Sequence, residues 1–495
     1  MAIEQSVLAN LKHAGLSEIT YLPGQQSYED RVSSYWSLTA QLRPWAIVQP
    51  RTTHEVSETL KSLISTPGCK FAIRSGGHMA WAGANNIEAG VTIDLGLMTT
   101  TTYNPDTKVA SLQPGGTWAQ VYSELEKYGV MVAGGREGLV GIGGLLLGGG
   151  IAFHSCRYGF ACDQVINYEV VLADGSIVQA NKMTNSDLFS VLKGGSNNFG
   201  IVTRFDMLTF EATNIWDGNI VLPKTATGEI IEAFVEFEQK LNQNPDDHIL
   251  AMWTYLPQTK DHFINMVLTN LDGVENANSL QPFLALPGQK NMKTTTVAKR
   301  LVDFVVPSGK HLPMLNAKHV QTRFPRDTWL TLTFNLDATI MKKAADVFEV
   351  LVEDLKILIP DGKFYISMVL QPLPRSFAKQ SMARGGNLLG IEKLQKDCVL
   401  LVAAVEVEMP EISTKIAYPK LRAAISEIEL YAKSVDGDVG FLYLNYCDGS
   451  QDPFQTYGEA SIRKMREAMV KYDPSGAFQT RVPGGFKLSQ TGARN

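Results

Sequence analysis

Cysteine is scarce in this chain, with five in 495 residues, and Cys69, Cys156, Cys162, Cys398 and Cys447 form no C-x-x-C pair. That excludes a disulfide scaffold or a cysteine-ligated zinc ribbon and fits reduced thiols. Charge is also sparse. Charged residues make up 19% of the chain, and 45 Lys and Arg stand against 50 Asp and Glu, a net charge of −5. Nothing in that balance provides the basic surface that nucleic acid or an anionic membrane requires. Long apolar runs are missing: the longest uncharged apolar stretch, Leu139 to Phe153, is interrupted by glycines and shorter than a membrane span. The N-terminus, MAIEQSVLANLKHAGL, lacks the continuous apolar core of a secretory signal, and the C-terminal GARN matches no retention or peroxisomal address. The expectation is an intracellular, cytoplasmic protein, and one without a bound metal, since the eight histidines form no H-x-x-x-H pair.

Several nucleotide and hydrolase signatures fail as well. In G-x-G-x-x-G starting from Gly141 and Gly143, the third glycine is replaced by Leu146. Gly195 to Gly200 has the glycine spacing of a P-loop, but Ile201 and Val202 stand where Lys and Ser or Thr would bind phosphate and magnesium. No G-x-S-x-G elbow occurs.

Glycine is what the chain has in one place: nine of its 42 fall within Gly134 to Gly150, GGREGLVGIGGLLLGGG. Upstream, Ala46–Val48 reads as a strand, Thr52-x-x-Glu55 as a capping box opening a helix to about Ser65, and Phe71 to Ile73 as the next strand. That strand runs into Arg74-Ser75-Gly76-Gly77-His78. Two backbone-exposing loops of this kind can bracket a diphosphate through their N–H groups. Further strands are expected at 91–94, 109–112, 168–172 and 201–208. After about Ala212 the glycines thin out and longer segments follow, at 249–255, 262–269, 328–334, 364–370 and 399–407, the pattern of a second, α+β domain. Phe441 to Tyr446 reads as a strand, and Glu459 to Lys471 as an amphipathic helix carrying Ile462, Met465 and Met469 on one face.

In order along the chain stand Arg74 to His78, Gly143-Gly144 with Gly148-Gly149-Gly150, Arg157-Tyr158-Gly159-x-Ala161-x-Asp163, Leu172-Ala173-Asp174-Gly175, Gly194-Gly195-x-x-x-Phe199-Gly200-Ile201-Val202, Tyr443-x-Asn445-Tyr446 and Tyr472-Asp473-Pro474. Together they resemble the FAD-linked oxidases of the berberine bridge enzyme group, and in particular its fungal biosynthetic members. The resemblance is strongest at 43–210 and 440–486. It implies an α+β fold: an FAD-binding domain of the PCMH or vanillyl-alcohol oxidase type, made of two subdomains and discontinuous in sequence, plus a substrate domain with an antiparallel sheet. The expected boundaries are 1–212 for the FAD domain, with its core at about 40–211, 213–440 for the substrate domain, and 441–495 for a segment completing the FAD domain.

The same resemblance implies that His78 is bonded to the flavin 8-methyl carbon, chemistry within reach of a neutral imidazole. Glu137 aligns where many relatives carry a second, cysteinyl link, so the expected cofactor is FAD attached through His78 alone. The residues implied around it are Arg74, Ser75, Gly76, Gly77, His78, Met79, Gly83, Gly138, Val140, Gly143, Gly144, Gly149, Gly200, Ile201, Tyr443 and Asn445. Val140 matches the position that controls oxygen access. Tyr443 is the first candidate for the base, with Tyr365 and Gln371 behind it; a phenol needs a neighbouring positive charge or hydrogen-bond donors for that work. If 441–446 is a strand, Tyr443 and Asn445 share a face. Trp253, Phe263, Phe334 and Tyr365 are aromatic candidates for an apolar pocket or for core. The expected reaction is hydride removal from an alcohol or amine carbon of a small molecule of specialised metabolism, with oxygen reduced to hydrogen peroxide. A cyclase or Diels-Alderase using the same pocket with little net redox chemistry is the alternative.

Overall fold

The computed structural model describes residues 2–259, 261–286, 299–300 and 326–492. Positions 287–298 and 301–325 of the expected substrate domain therefore lie outside the described residues.

The first sheet has four strands in the order Thr20–Tyr21, Ala46–Val48, Val91–Asp94, Phe71–Arg74, the last three mutually parallel. Its crossover helix, Thr53–Ile64, begins at Thr52, whose hydroxyl accepts the Glu55 N–H at 3.1 Å, while the Glu55 carboxylate accepts the Arg51 N–H at 2.6 Å. This helix buries Val56, Leu60 and Leu63, positions that recur every three or four residues and face the sheet. A second, antiparallel sheet of five strands runs Thr101–Asn104, Val109–Leu112, Ile201–Leu208, Val165–Val171, Ile177–Asn181.

The third sheet is antiparallel and has seven strands: Lys299–Arg300, Asn214–Pro223, Phe263–Asn270, Asp247–Tyr255, Phe364–Leu373, Cys398–Val407 and Arg326–Asn335. Helices Thr227–Lys240, Ala338–Leu358 and Tyr418–Ser434 cover one of its faces. Alternation assigns the other face to something else. In Asp247–Tyr255 the odd residues Ile249, Ala251 and Trp253 are fully buried, and the Trp253 indole N–H reaches Thr227 Oγ1 of a covering helix at 3.3 Å. Leu250 and Met252 point the opposite way, into a cavity. Met252 pairs with Val369, and Val369 with Val402, so three side chains on adjacent strands form one apolar patch on that face.

The segment after residue 440 packs back on the first two sheets. The Arg481 carbonyl accepts the Phe71 N–H at 2.8 Å, and the Asn198 amide donates to the Phe486 carbonyl at 2.9 Å. The expected strand at 441–446 does not form. Tyr443 instead precedes a 3₁₀ turn at Leu444–Tyr446, because the Asn445 side chain is drawn out of any ladder to donate to the Leu145 carbonyl at 3.2 Å. Helix Glu459–Tyr472 forms with Ile462 and Met465 buried. All five cysteines are buried free thiols. No helix among the described residues is long and apolar enough to cross a membrane.

Candidate active site

The two glycine loops meet backbone to backbone. A Cβ on Gly76 would lie 2.6 Å from the Gly141 Cα, and a Cβ on Gly141 would lie 2.6 Å from the Gly76 Cα, so neither position admits a side chain without moving the other loop. Ser75 ties the contact: its hydroxyl donates to the Pro114 carbonyl at 2.5 Å and accepts the Gly143 N–H at 3.2 Å. A third close approach fixes the C-terminal segment, since a Cβ on Gly148 would sit 1.7 Å from Asn445 Oδ1.

Between these loops and the open face of the seven-stranded sheet lies a cavity of about 810 Å³, large among small-molecule sites. Of the residues expected around the cofactor, Ser75, Gly76, Gly77, His78, Met79 and Val140 line it, as do Gly143, Gly144, Gly200, Ile201, Tyr443 and Asn445. Arg74, Gly83, Gly138 and Gly149 do not. Arg74 points away because strand alternation sends Ile73 and Ser75 to the cavity and the residue between them to the other side. Its buried guanidinium donates to the Arg31 carbonyl at 2.7 Å and to the Ser34 carbonyl and hydroxyl at 3.1 and 2.9 Å. It also lies 3.5 Å from Asp94 and 3.7 Å over the Tyr35 ring. Arg74 is thus a prop beneath the turn: a Cβ on Gly77 would meet its Nε at 2.8 Å. A Cβ on Gly484 would lie 2.0 Å from the Gly83 carbonyl oxygen, the Gly138 carbonyl accepts the Ala119 N–H at 2.9 Å, and Gly149 packs on Leu389.

His78 stands at the cavity wall, its ring stacked on Trp36 at 4.2 Å and edge-on to Trp329 at 6.5 Å. Neither tryptophan was singled out by sequence, where no spacing connects them to the histidine. Of the aromatic pocket candidates, only Tyr365 lines the cavity; Trp253 and Phe334 are core, and Phe263 is partly buried outside it.

The residues fit a large polar cofactor. Thr39 Oγ1, Trp81 Nε1 and Asn85 Oδ1 are buried at the cavity wall without a hydrogen-bond partner among the described residues, and a Cβ at Gly144 would project into open space. Buried polar atoms of this kind are usually satisfied by a partner, and a diphosphate and a heterocycle supply several.

Tyr443, the first candidate for the base, lies in a buried setting. Its hydroxyl oxygen accepts the Ile151 N–H at 2.9 Å and the Asn445 amide at 3.0 Å, so the hoped-for donors and the pairing with Asn445 are present. Yet the ring is fully buried, and burial outweighs those donors and the Arg136 charge, holding the phenol above its ordinary range. The neighbouring Tyr446, edge-on to Tyr443 at 4.9 Å, is half-buried at the cavity and accepts an N–H from Arg136 at 2.9 Å. The same Arg136 nitrogen donates to Gln371 Oε1 at 2.7 Å, and its other terminal nitrogen lies 3.0 Å from His248 Nε2. Tyr446 was legible in Tyr443-x-Asn445-Tyr446, and Arg136 as the lone cation of the glycine loop; His248 carried no sequence signal.

Comparison with known proteins places these features. Residues 44–181 match the FAD binding domain family. The FAD-dependent monooxygenase drtC of Aspergillus calidoustus is 36% identical over 484 residues, covering 97% of this chain and 90% of that protein. The FAD-dependent monooxygenase sdcF of Emericella nidulans is 34% identical over 473 residues, covering 94% and 95%. Among solved structures, the carbohydrate oxidase from Microdochium nivale superposes with a TM-score of 0.76 at 20% identity, over 96% of this chain and 98% of that one. Glucooligosaccharide oxidase from Acremonium strictum, with its 6-S-cysteinyl, 8α-N1-histidyl FAD, gives 0.71 at 16% identity, over 98% and 99%.

Proposed function

The chain belongs to the family of FAD-dependent monooxygenases and FAD-linked oxidoreductases, and on that premise we propose that it is an oxidase. Its substrate would be a small molecule of specialised metabolism, oxidised at a carbon bearing a hydroxyl or amine. The observation that carries this reading is the contact of the two glycine loops at Gly76 and Gly141, which opens backbone and the His78 ring onto a cavity roofed by an apolar sheet face. Bound FAD supplies a two-electron acceptor that takes a hydride and passes the electrons to oxygen, giving hydrogen peroxide.

The residues that would hold it are Ser75 to Met79, Val140 to Gly144, Gly200 and Ile201. His78 is the attachment residue. A single link would set this chain apart from glucooligosaccharide oxidase and its 6-S-cysteinyl, 8α-N1-histidyl FAD, because Glu137 stands where the family resemblance expects the second, cysteinyl link. Trp36 and Trp329 hold the imidazole against rotation, which favours one attachment geometry. Val140, half-buried at the wall, is small enough to leave a path for oxygen. Leu250, Met252, Val369 and Val402 exclude water from the substrate side. Proton acceptance falls to Tyr446, whose hydroxyl lies at the cavity and accepts a hydrogen bond from the Arg136 guanidinium. Tyr443 positions it, locked by Ile151 and Asn445.

Acid precipitation followed by peptide mass measurement tests the attachment: flavin should remain on the peptide containing His78, and free flavin in the supernatant overturns it. Anaerobic mixing with a turned-over substrate tests the chemistry. Bleaching of the flavin band is expected, slowed by roughly 10²-fold or more in Tyr446→Phe; product formed with the flavin still oxidised means cyclisation instead.

A further inference from the structure

Arg136 is a cation whose neighbours are all neutral. Gln371 contributes an amide oxygen at 2.7 Å, Tyr446 a phenol at 2.9 Å and His248 a ring nitrogen at 3.0 Å. His248 stays uncharged because complete burial, and then the nearby arginine itself, push its pKa well below the ordinary imidazole value. No carboxylate of the described residues lies within 4 Å of this guanidinium. Several other arginines are neutralised by carboxylates: Arg31 and Arg74 share Asp94, Arg157 pairs with Asp246, and Arg204 with Glu169 and Asp206, while Arg384 and Arg481, which do not line the cavity, are held by neutral acceptors as Arg136 is. Glu137, Asp327 and Asp448 also line the cavity, without an ion pair to Arg136 among the described residues.

Three acceptors fix the guanidinium without neutralising it, and it faces a cavity whose remaining wall includes Leu250, Met252, Val369 and Val402. A half-buried cation held rigid by neutral groups is a ready counter-charge for an anion, and arginine's planar fork suits paired oxygens. Resting on the oxidoreductase reading of this same site, we propose that the substrate has an apolar body and an anionic oxygen group, a carboxylate or an ionised enol, that pairs with Arg136. The same contact places that anion beside Tyr446, so the oxidised carbon lies close to the acidic group.

The test is equilibrium binding to the purified holoenzyme, read as perturbation of the flavin absorbance. The probes are cinnamate and 4-hydroxycoumarin, each against its uncharged methyl ester or methyl ether. At least one anion should bind tenfold or more tightly than its neutral counterpart, with the preference weakening as salt rises. Preference for cinnamate identifies a carboxylate site, and preference for hydroxycoumarin an enolate site. Arg136→Gln should abolish the preference and Arg136→Lys retain part of it. Neutral probes binding as well as the anions, no binding of either anion, or a preference that survives Arg136→Gln overturns the proposal. Flavin content, measured first, separates the two readings: a chain purified without flavin refutes the oxidoreductase assignment, whereas a yellow chain indifferent to charge refutes only the anion site.

Discussion

Replacing Arg74 with Met separates a prop from a cofactor contact. The methionine keeps most of the aliphatic volume but removes every donor. The Arg31 and Ser34 carbonyls, which receive N–H groups at 2.7 and 3.1 Å, lose them at a part-buried site, and Asp94 keeps Arg31 as its one remaining cation, at 2.7 Å. An acceptor stranded without water costs about 1–3 kcal/mol, and breaking a buried ion pair from one side costs about 3–5 kcal/mol. These losses overlap, so about 3–5 kcal/mol is the expectation for the whole. With unfolding entropy of about 2.1 cal/mol/K per residue over 495 residues, each kcal/mol moves the midpoint by about 1 °C, giving a drop of about 3–5 °C. Thermal melts followed by tryptophan fluorescence, on flavin-loaded and flavin-depleted protein alike, provide the measurement. The drop should appear in both preparations, with flavin attachment slowed because the Gly77 turn rests on this guanidinium. An Arg74→Met protein that melts with the parent when depleted, yet fails to take up FAD, refutes the reasoning and returns Arg74 to the cofactor.

Gly76→Ala forces a methyl against the Gly141 backbone at 2.6 Å, so it should cost about 1–3 kcal/mol as overpacking and lower flavin content; full flavin content with an unchanged melt would show that the loops do not need their contact. His154 sets a pH dependence. Burial depresses its pKa to about 4 from the ordinary 6.5, so the unfolded chain binds the proton first; the stability is complete above pH 6.5 and is lost as the pH falls toward 4. At pH 5 the loss is about 2 kcal/mol, and urea midpoints at pH 7 and pH 5 should converge in His154→Gln relative to the parent; an unchanged difference between the two pH values would remove His154 as the cause.

What the sequence reveals and what it hides divide along the reach of the interactions. Strands such as Cys398–Val407 and the cap at Thr52 declare themselves because alternation, β-branching and a hydroxyl three residues before a glutamate are local causes. Phe441 to Tyr446 carries the same β-forming composition and still becomes a 3₁₀ turn, since Asn445 fits only where Gly148 omits a Cβ, and that glycine lies far away in sequence. Arg74 does not line the cavity although the information was local: a motif names residues that occur together, while alternation from Ile73 to Ser75 already turns the arginine outward. Tyr446 shows the converse, a residue quoted within a motif whose importance emerges only from its partner.

Arg136 marks the limit of such reading. Its three partners lie 112, 235 and 310 residues away, on the seven-stranded sheet and in the C-terminal segment, so no window of sequence contains the constellation. The fold brings them together because the glycine loop crosses the open face of that sheet, and a loop bound tightly on one side can present only what its few side-chain-bearing residues offer on the other. In Gly134 to Gly150 those residues are apolar save Arg136 and Glu137. The glycines that crowd the cofactor side therefore also decide which residues can address a substrate, and they leave a single fixed positive charge for the task.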